Sequence, residues 1–139
     1  MCATAEEIVT ATLVPEVKRL GILPKYFGER HMLKAEATVY NWMSMLASDY
    51  IGGYWNYYEL SNGGFYMAPT SPERFDILVD SNGYSGEMSA DAAGITACLF
   101  AFCNLANYLR DDRIIDLYHQ LRDFAATHPE GCEIFRAID

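Results

Sequence analysis

Residues 52–69 read GGYWNYYELSNGGFYMAP. Six of these eighteen side chains are aromatic, and they fall on two short runs joined by Asn62 and Gly63. Because Asn and Gly tolerate the positive φ angles of a tight turn, the segment predicts two antiparallel strands, which we name the aromatic hairpin. Rings at this density either build a core face or form a binding surface, and the choice between these roles bears directly on function.

The period-two pattern continues past the aromatic hairpin, and a second Asn-Gly pair stands at residues 82–83. In the run between the two turns, Phe75, Ile77 and Val79 share one face, which indicates a sheet with one covered face and one partly wet face. A further short strand is expected in the β-branched run at residues 8–14. The strands of an antiparallel meander are predicted at residues 54–60, 65–68, 74–80 and 84–88.

Helical periodicity flanks these strands. Ser89 is a suitable N-cap with Asp91 in the first turn, and a helix is expected from there to about Leu109. This helix is uncharged over most of its length, but polar side chains interrupt it and charges flank it closely, so we expect a buried core helix and no membrane span. Other helices are predicted at residues 30–47, from residue 111 or 112 to about residue 127, and from residue 129.

The order of helix, strands and further helices indicates an α+β fold. We predict a single domain over residues 1–139, in which about four helices pack on one face of a small antiparallel sheet of about four strands. The chain has 139 residues, of which 51% are hydrophobic and 21% charged, so a single core is sufficient without disulfides or metals.

The charge and the cysteines restrict the function. A net charge of −9 argues against binding a nucleic acid backbone or an anionic membrane surface, both of which attract clustered Lys and Arg. The four cysteines form no C-x-x-C pair, and residues 1–7 lack the pattern of a secretory signal. A reduced, cytoplasmic protein is therefore expected.

Signatures of common enzymes do not occur in the sequence. It contains no G-x-G-x-x-G, no Walker A sequence and no H-E-x-x-H, and its three histidines are far apart. We therefore expect no cofactor, no metal and no catalytic residue. One enzymatic alternative stays open, since Glu59 and Glu87 on predicted strands could form an acid/base pair.

Mimicry of DNA is a second alternative for an acidic protein. It requires carboxylates at phosphate-like intervals with few cations between them. The predicted helix after residue 110 mixes its acids with arginines, which is typical of a solvated helix surface. The residues concerned are Asp111, Asp112, Asp116, Asp123, Arg110, Arg113 and Arg122.

The first strand of the aromatic hairpin has two unlike faces. Tyr54, Asn56 and Tyr58 point one way, and Trp55, Tyr57 and Glu59 point the other. One set must face the helices, while the other would expose amphipathic rings of the kind that anchor protein interfaces. Cross-strand pairing of the rings inside the sheet is the structural alternative. The candidate interaction surface comprises Tyr54, Trp55, Asn56, Tyr57, Tyr58, Glu59 and Asn62.

The aromatic hairpin resembles the antirestriction proteins of the ArdB/KlcA family. Four shorter stretches resemble the same family in the same order: TATLVP at 10–15, LPKYFG at 23–28, YNWM at 40–43 and GEMSADAAGI at 86–95. The resemblance implies a compact protein of mobile elements that protects incoming unmodified DNA from host type I restriction-modification. It also implies that the protein is not an enzyme, and that its partner is the restriction enzyme, met directly or through an intermediary.

Overall fold

We analysed the chain in a computed structural model, which describes residues 8–139; Cys2 and the predicted absence of a signal in residues 1–7 lie outside this range. The elements are β1 (Ala11–Leu13), a 3₁₀ helix (Glu16–Gly21), α1 (Ile22–Leu46), β2 (Trp55–Leu60), β3 (Phe65–Pro69), β4 (Arg74–Val79), β5 (Tyr84–Ser89), α2 (Ala90–Leu109), α3 (Asp112–Ala125) and α4 (Gly131–Ile138).

Residues 8–139 form two antiparallel sheets, with strand orders β1-β2-β3 and β4-β5. Both hairpins turn at the predicted Asn-Gly pairs. Asn62 Oδ1 accepts the Gly64 N–H at 3.1 Å, and Asn82 Oδ1 accepts the Tyr84 N–H at 2.9 Å, so each Asn closes its own turn. Since the described part of the chain contains four α-helices and two small sheets, the predicted α+β class is confirmed.

The predicted meander breaks into two sheets between β3 and β4. Helix α2 lies against β3, where β4 would otherwise pair with it. A Cβ on Gly94 would lie 2.5 Å from Ala68 Cα and 2.7 Å from the Met67 carbonyl oxygen. One turn further, the Cys98 thiol donates to the same Met67 oxygen at 3.5 Å. The backbone of β3 therefore meets a helix where a fourth strand was expected.

Helices cover both faces of the three-stranded sheet, which corrects the prediction that they pack on one face. Phe65 packs against Phe27 of α1 and Phe102 of α2, while its neighbour Tyr66 packs against Phe124 of α3. All five residues of β3 are buried. A continuous apolar run such as FYMAP is typical of a strand buried on both sides, so this signal was present in the sequence.

The β4-β5 sheet follows its predicted alternation. Phe75, Ile77 and Val79 are buried, and the intervening residues of β4 are exposed. This sheet therefore covers the core with one face and meets solvent with the other, as an amphipathic antiparallel pair does.

Helix α2 is the central element of the core. Ser89 caps it as predicted, its side chain accepting the Ala92 N–H at 3.1 Å. By length and composition α2 could cross a membrane, but 67% of its most apolar window is buried inside the protein. The prediction of a core helix is confirmed.

Helix α1 begins earlier than the predicted residue 30. Gly28, with φ 76° and ψ 156°, interrupts it, so a first helical segment at residues 22–27 precedes the long one. The long segment buries Ala35, Val39 and Met43, which are spaced four apart along one face of the helix, whereas Leu33 is 69% exposed.

We expect Gly94→Ala to lower the free energy of unfolding by about 1–3 kcal/mol, because the added methyl group overlaps the β3 backbone. Gly21→Ala is the matched control, since nothing lies within 4 Å of a Cβ at that position. Urea unfolding of both variants checks this. A Gly94→Ala protein as stable as the parent would show that α2 does not sit this close to β3.

Candidate functional site

The aromatic hairpin divides its side chains between core and surface. Trp55 and Tyr57 are buried, with 2% and 7% of their area exposed. Trp55 packs edge-on against Tyr40 of α1 at 5.1 Å, and its ring nitrogen donates to the Tyr50 hydroxyl at 3.0 Å. Contrary to the expectation of an exposed surface at these two positions, both rings lie on the face that α1 covers.

The remaining candidate residues reach solvent to different extents. Tyr54 is 51% exposed, whereas Asn56, Tyr58 and Glu59 are partly buried. Asn62 forms two hydrogen bonds with Gln120 of α3. Its side-chain amide donates to the Gln120 backbone carbonyl at 3.0 Å, and its backbone carbonyl accepts from the Gln120 side chain at 3.2 Å. The accessible part of the hairpin therefore centres on Tyr54 and the strand positions after it.

Arg19 of the 3₁₀ helix binds the start of the aromatic hairpin. Its guanidinium carbon lies 4.5 Å from the centre of the Tyr54 ring and 4.3 Å from that of Tyr57. Cation–π contact with two rings holds the arginine in place, and the Tyr54 hydroxyl donates to Glu16 at 3.3 Å. The exposed ring of Tyr54 is thus ordered by its neighbours.

Glu59 is held by two residues of α1. Lys25 Nζ lies 2.6 Å from Glu59 Oε2, and the Tyr26 hydroxyl donates to the same oxygen. The Lys25 hydrogen bond, followed by that of Tyr26, lowers the pKa of Glu59. Burial, reinforced by the carboxylate, raises the pKa of Tyr26 above its ordinary value. Glu59 is therefore an ionised, paired carboxylate.

On the opposite face, a polar chain begins at Tyr66. Tyr66 is the cross-strand partner of Tyr58, and the two rings stack at 4.7 Å, as the alternative of cross-strand pairing predicts. The Tyr66 hydroxyl donates to Asp91 Oδ1 at 2.7 Å, and Asp91 Oδ2 lies 2.8 Å from His128 Nε2. His128 Nδ1 accepts the Glu130 N–H at 3.0 Å.

This arrangement fixes the tautomer of His128. Because Nδ1 accepts a hydrogen bond, the neutral ring carries its proton on Nε2 and donates it to Asp91. An Asp–His pair of this kind orients the base in some hydrolases, but here both ring nitrogens already have partners. The hydrogen bonds among Tyr66, Asp91 and His128 therefore join β3, α2 and the turn between α3 and α4. Neither ring nitrogen of His128 is left free to act as a base.

The proposed acid/base pair is not assembled. Glu59 lies in β2 of one sheet, and Glu87 lies in β5 of the other, where Arg74 Nε binds it at 2.7 Å. Burial raises the pKa of the Cys98 thiol to about 12, which makes it a poor nucleophile. Within residues 8–139 no group of three or more His, Cys, Asp or Glu side chains could hold a metal ion.

Sequence reasoning did not find the partners of these residues. It placed Asp91 in the first turn of α2, but His128, the partner of Asp91, lies 37 residues away in the sequence, in the turn between α3 and α4. The same turn supplies Glu130, whose carboxylate accepts from both the backbone N–H and the hydroxyl of Ser89. Contacts over such distances depend on how the helices pack, which periodicity alone does not specify.

Tyr66→Phe removes the hydroxyl that binds Asp91, and we expect it to destabilise the fold by about 1–2 kcal/mol. Tyr58→Phe is the matched control, because its hydroxyl has only a 3.5 Å contact with Asn56, and it should change stability by under about 0.5 kcal/mol. Urea unfolding measures both values. Equal effects would show that the Tyr66 hydroxyl contributes nothing specific.

Burial of the tyrosines predicts alkaline destabilisation. Burial is the main cause of the raised pKa of Tyr66, and also of Tyr84, which reaches about 12. A group whose pKa is higher in the folded state stabilises fully below its unfolded pKa of about 10, and that stabilisation is lost as the pH rises. At about pH 11, ultraviolet titration should detect fewer tyrosinates in the folded protein than in concentrated urea. Equal numbers would contradict the burial described above.

Comparison with known proteins places the fold in a family. The family described as antirestriction protein matches residues 48–139. Two Escherichia coli proteins named antirestriction protein KlcA are similar: one is 54% identical over 98% of this chain and 99% of its own length, the other 51% identical over 94% of both.

A solved structure is similar over nearly the whole fold. It is 55% identical, with a TM-score of 0.91 over 99% of this chain and 100% of the other. It is described as showing a novel fold for the KlcA and ArdB proteins, and antirestriction activity against type I DNA restriction systems in vivo but not in vitro. The chain belongs to the antirestriction protein family.

Proposed function

We propose that this chain relieves the restriction of incoming unmodified DNA by host type I restriction-modification systems. It acts in the cytoplasm, without catalysing a reaction, through contacts with the restriction enzyme or with a host intermediary. The likeness to KlcA carries the proposal, because it extends over 98% of the chain at 54% identity. The same likeness covers 99% of the relative's own length.

The conditions under which related proteins act bear on the route by which restriction is relieved. The KlcA and ArdB proteins are described as active in vivo but not in vitro. An inhibitor that simply blocked a purified enzyme would act in both settings, whereas one that needs a further cellular component would act only in cells. This contrast supports an indirect route for the present chain.

The chemistry of the described residues supports a non-enzymatic role. The ionised Glu59 is paired with Lys25, the Cys98 thiol is buried, and His128 has no free ring nitrogen. Catalytic acids, bases and nucleophiles need a free lone pair or proton within reach of a substrate. These three groups are buried or already bonded, so they are better suited to stabilising the fold than to catalysis.

The pairing of the carboxylates disfavours DNA mimicry. Asp111 accepts from Arg113 at 3.0 Å, which lowers the pKa of Asp111, and Glu133 binds Arg136 at 3.2 Å. Acids of which some are neutralised by arginines do not reproduce the uniform charge of a phosphate backbone. We therefore favour contact between proteins, with the accessible part of the aromatic hairpin as the candidate surface: Tyr54, Asn56, Tyr58, Glu59 and Asn62.

Expression of the chain in a host with a type I system should raise the plating efficiency of unmodified phage well above that of the empty vector. Phage already modified by the host should plate equally with and without the chain, which controls for effects unrelated to restriction. Unchanged restriction of unmodified phage, with the folded protein present in the cells, would overturn the proposal.

A further inference from the structure

Helices α2 and α3 leave a groove between them that contains two successive cavities. The smaller cavity, of about 100 Å³, is lined by Leu99, Phe100, Cys103, Tyr118 and Ile138. The larger cavity, of about 180 Å³, is lined by Cys103, Ala106, Asn107, Ile115, Tyr118 and His119. Because Cys103 and Tyr118 line both cavities, the two are parts of one groove, which we name the α2–α3 groove.

The two cavities are about one helical turn apart. Along α2, Leu99 lines the smaller cavity, Asn107 lines the larger one, and Cys103 lies midway between them. Residues four apart on a helix are separated by about 6 Å along its axis. A second helix laid along the groove therefore places two of its own side chains, at positions i and i+4, over the two cavities.

Each cavity suits an apolar side chain. Apolar groups form most of the walls, and none of the described residues that line the groove is an Asp, Glu, Lys or Arg. A cavity of about 150 Å³ with apolar walls holds a benzene ring, so cavities of 100 and 180 Å³ suit one aliphatic or aromatic side chain each. Cys103 is exposed and Ile115 is 40% exposed, so contact with a partner would remove apolar area from water.

Two carboxylates stand at the edge of the groove. Asp112 and Asp116 lie three residues before Ile115 and His119, so each is on the same side of α3 as a residue of the larger cavity. Both acids are exposed, and neither forms an ion pair with another residue of the range 8–139. Their charges are therefore available to a partner.

The arginines nearby are mostly engaged. Arg113 is paired with Asp111, and Arg122 lies over the Phe135 ring at 5.3 Å and donates to the Tyr118 hydroxyl. Arg110, which follows α2, is the remaining cation of residues 110–123. Free carboxylates thus outnumber free cations beside the groove, and a net charge of −9 adds attraction of the same sign. Charge complementarity favours a cationic occupant.

The same charges disfavour an occupant that comes from this chain. A second copy also carries −9, and residues 1–7 contain Glu6 and Glu7 with no Lys or Arg. Either would bring acids to an edge that already bears acids. A nucleic acid is disfavoured for the same reason.

We infer that the α2–α3 groove holds a basic amphipathic helix of a protein partner. Apolar side chains of that helix at positions i and i+4 enter the two cavities, while its Lys or Arg side chains meet Asp112 and Asp116. This inference rests on the proposed function, and it adds a second contact surface to that of the aromatic hairpin.

The binding test uses a fluorescent synthetic helix of leucine and lysine, with its leucines on one face, as the probe. We expect Cys103→Gln/Ile115→Ser, which makes the groove polar without changing the charge, to bind it about tenfold or more weakly than the parent. Cys132→Gln/Leu78→Ser is the matched control, because these exposed residues do not line the groove. It should bind as the parent does, as measured by fluorescence anisotropy.

The test in cells uses relief of restriction. The groove variant Cys103→Gln/Ile115→Ser should fall to the level of the empty vector, and its control should retain the relief of the parent. Asp112→Asn/Asp116→Asn should weaken both binding and relief. Asp76→Asn/Asp80→Asn, which neutralises two exposed acids of the other sheet and its turn, matches the change in net charge and should leave both unchanged. Immunoblots and urea unfolding establish that all variants are present and folded.

The outcomes separate the two proposals. If the parent chain binds the probe through the groove but gives no relief, the proposed function fails and the groove is a binding site without it. If the groove variant matches the parent in probe binding or in relief, the groove inference fails while the proposed function stands.

Two further results would overturn the groove inference. A peptide with the same residues in scrambled order has no apolar face, and equal binding of that peptide would show attraction by charge alone. A parent that sediments as a dimer, with a groove variant that sediments as a monomer, would show that the groove holds a second copy.

Discussion

Contact between helix α2 and the backbone of β3 is the constraint on which the rest of the fold depends. Because Gly94 has no side chain, α2 approaches β3 so closely that Ala68 and the Met67 carbonyl occupy the space where a Cβ would lie. A helix this apolar must be covered on nearly all sides. Once it lies at the edge of β3, no strand can pair there, so β4 and β5 form a separate sheet and α1 and α3 cover the two faces of the first.

Much of this architecture could be predicted from local signals. The Asn-Gly turns, the alternation in β4 and the Ser89 cap each depend on a few neighbouring residues, and all three are confirmed. Local patterns do not predict the division into two sheets, because in the sequence Gly94 is only one residue of a helical run. Its role depends on Ala68, and the sequence gives no sign that these two residues meet.

The candidate site was predicted less well, for a related reason. Alternation correctly separated Trp55 and Tyr57 from Tyr54 and Tyr58, but it could not say which face a helix would cover, and in fact both faces are covered. The rings of the hairpin therefore serve mainly as core and frame. Most of the polar partners that complete them come from distant elements: Lys25 for Glu59, and Asp91 for Tyr66.

The rings of the aromatic hairpin also stabilise an element outside the sheet. The rings of Tyr54 and Tyr57 contact the guanidinium of Arg19, which belongs to the 3₁₀ helix. The most distinctive residues of the sequence therefore stabilise an element for which the sequence carries only a weak signal. The rings of the hairpin therefore contribute by making the neighbouring elements rigid.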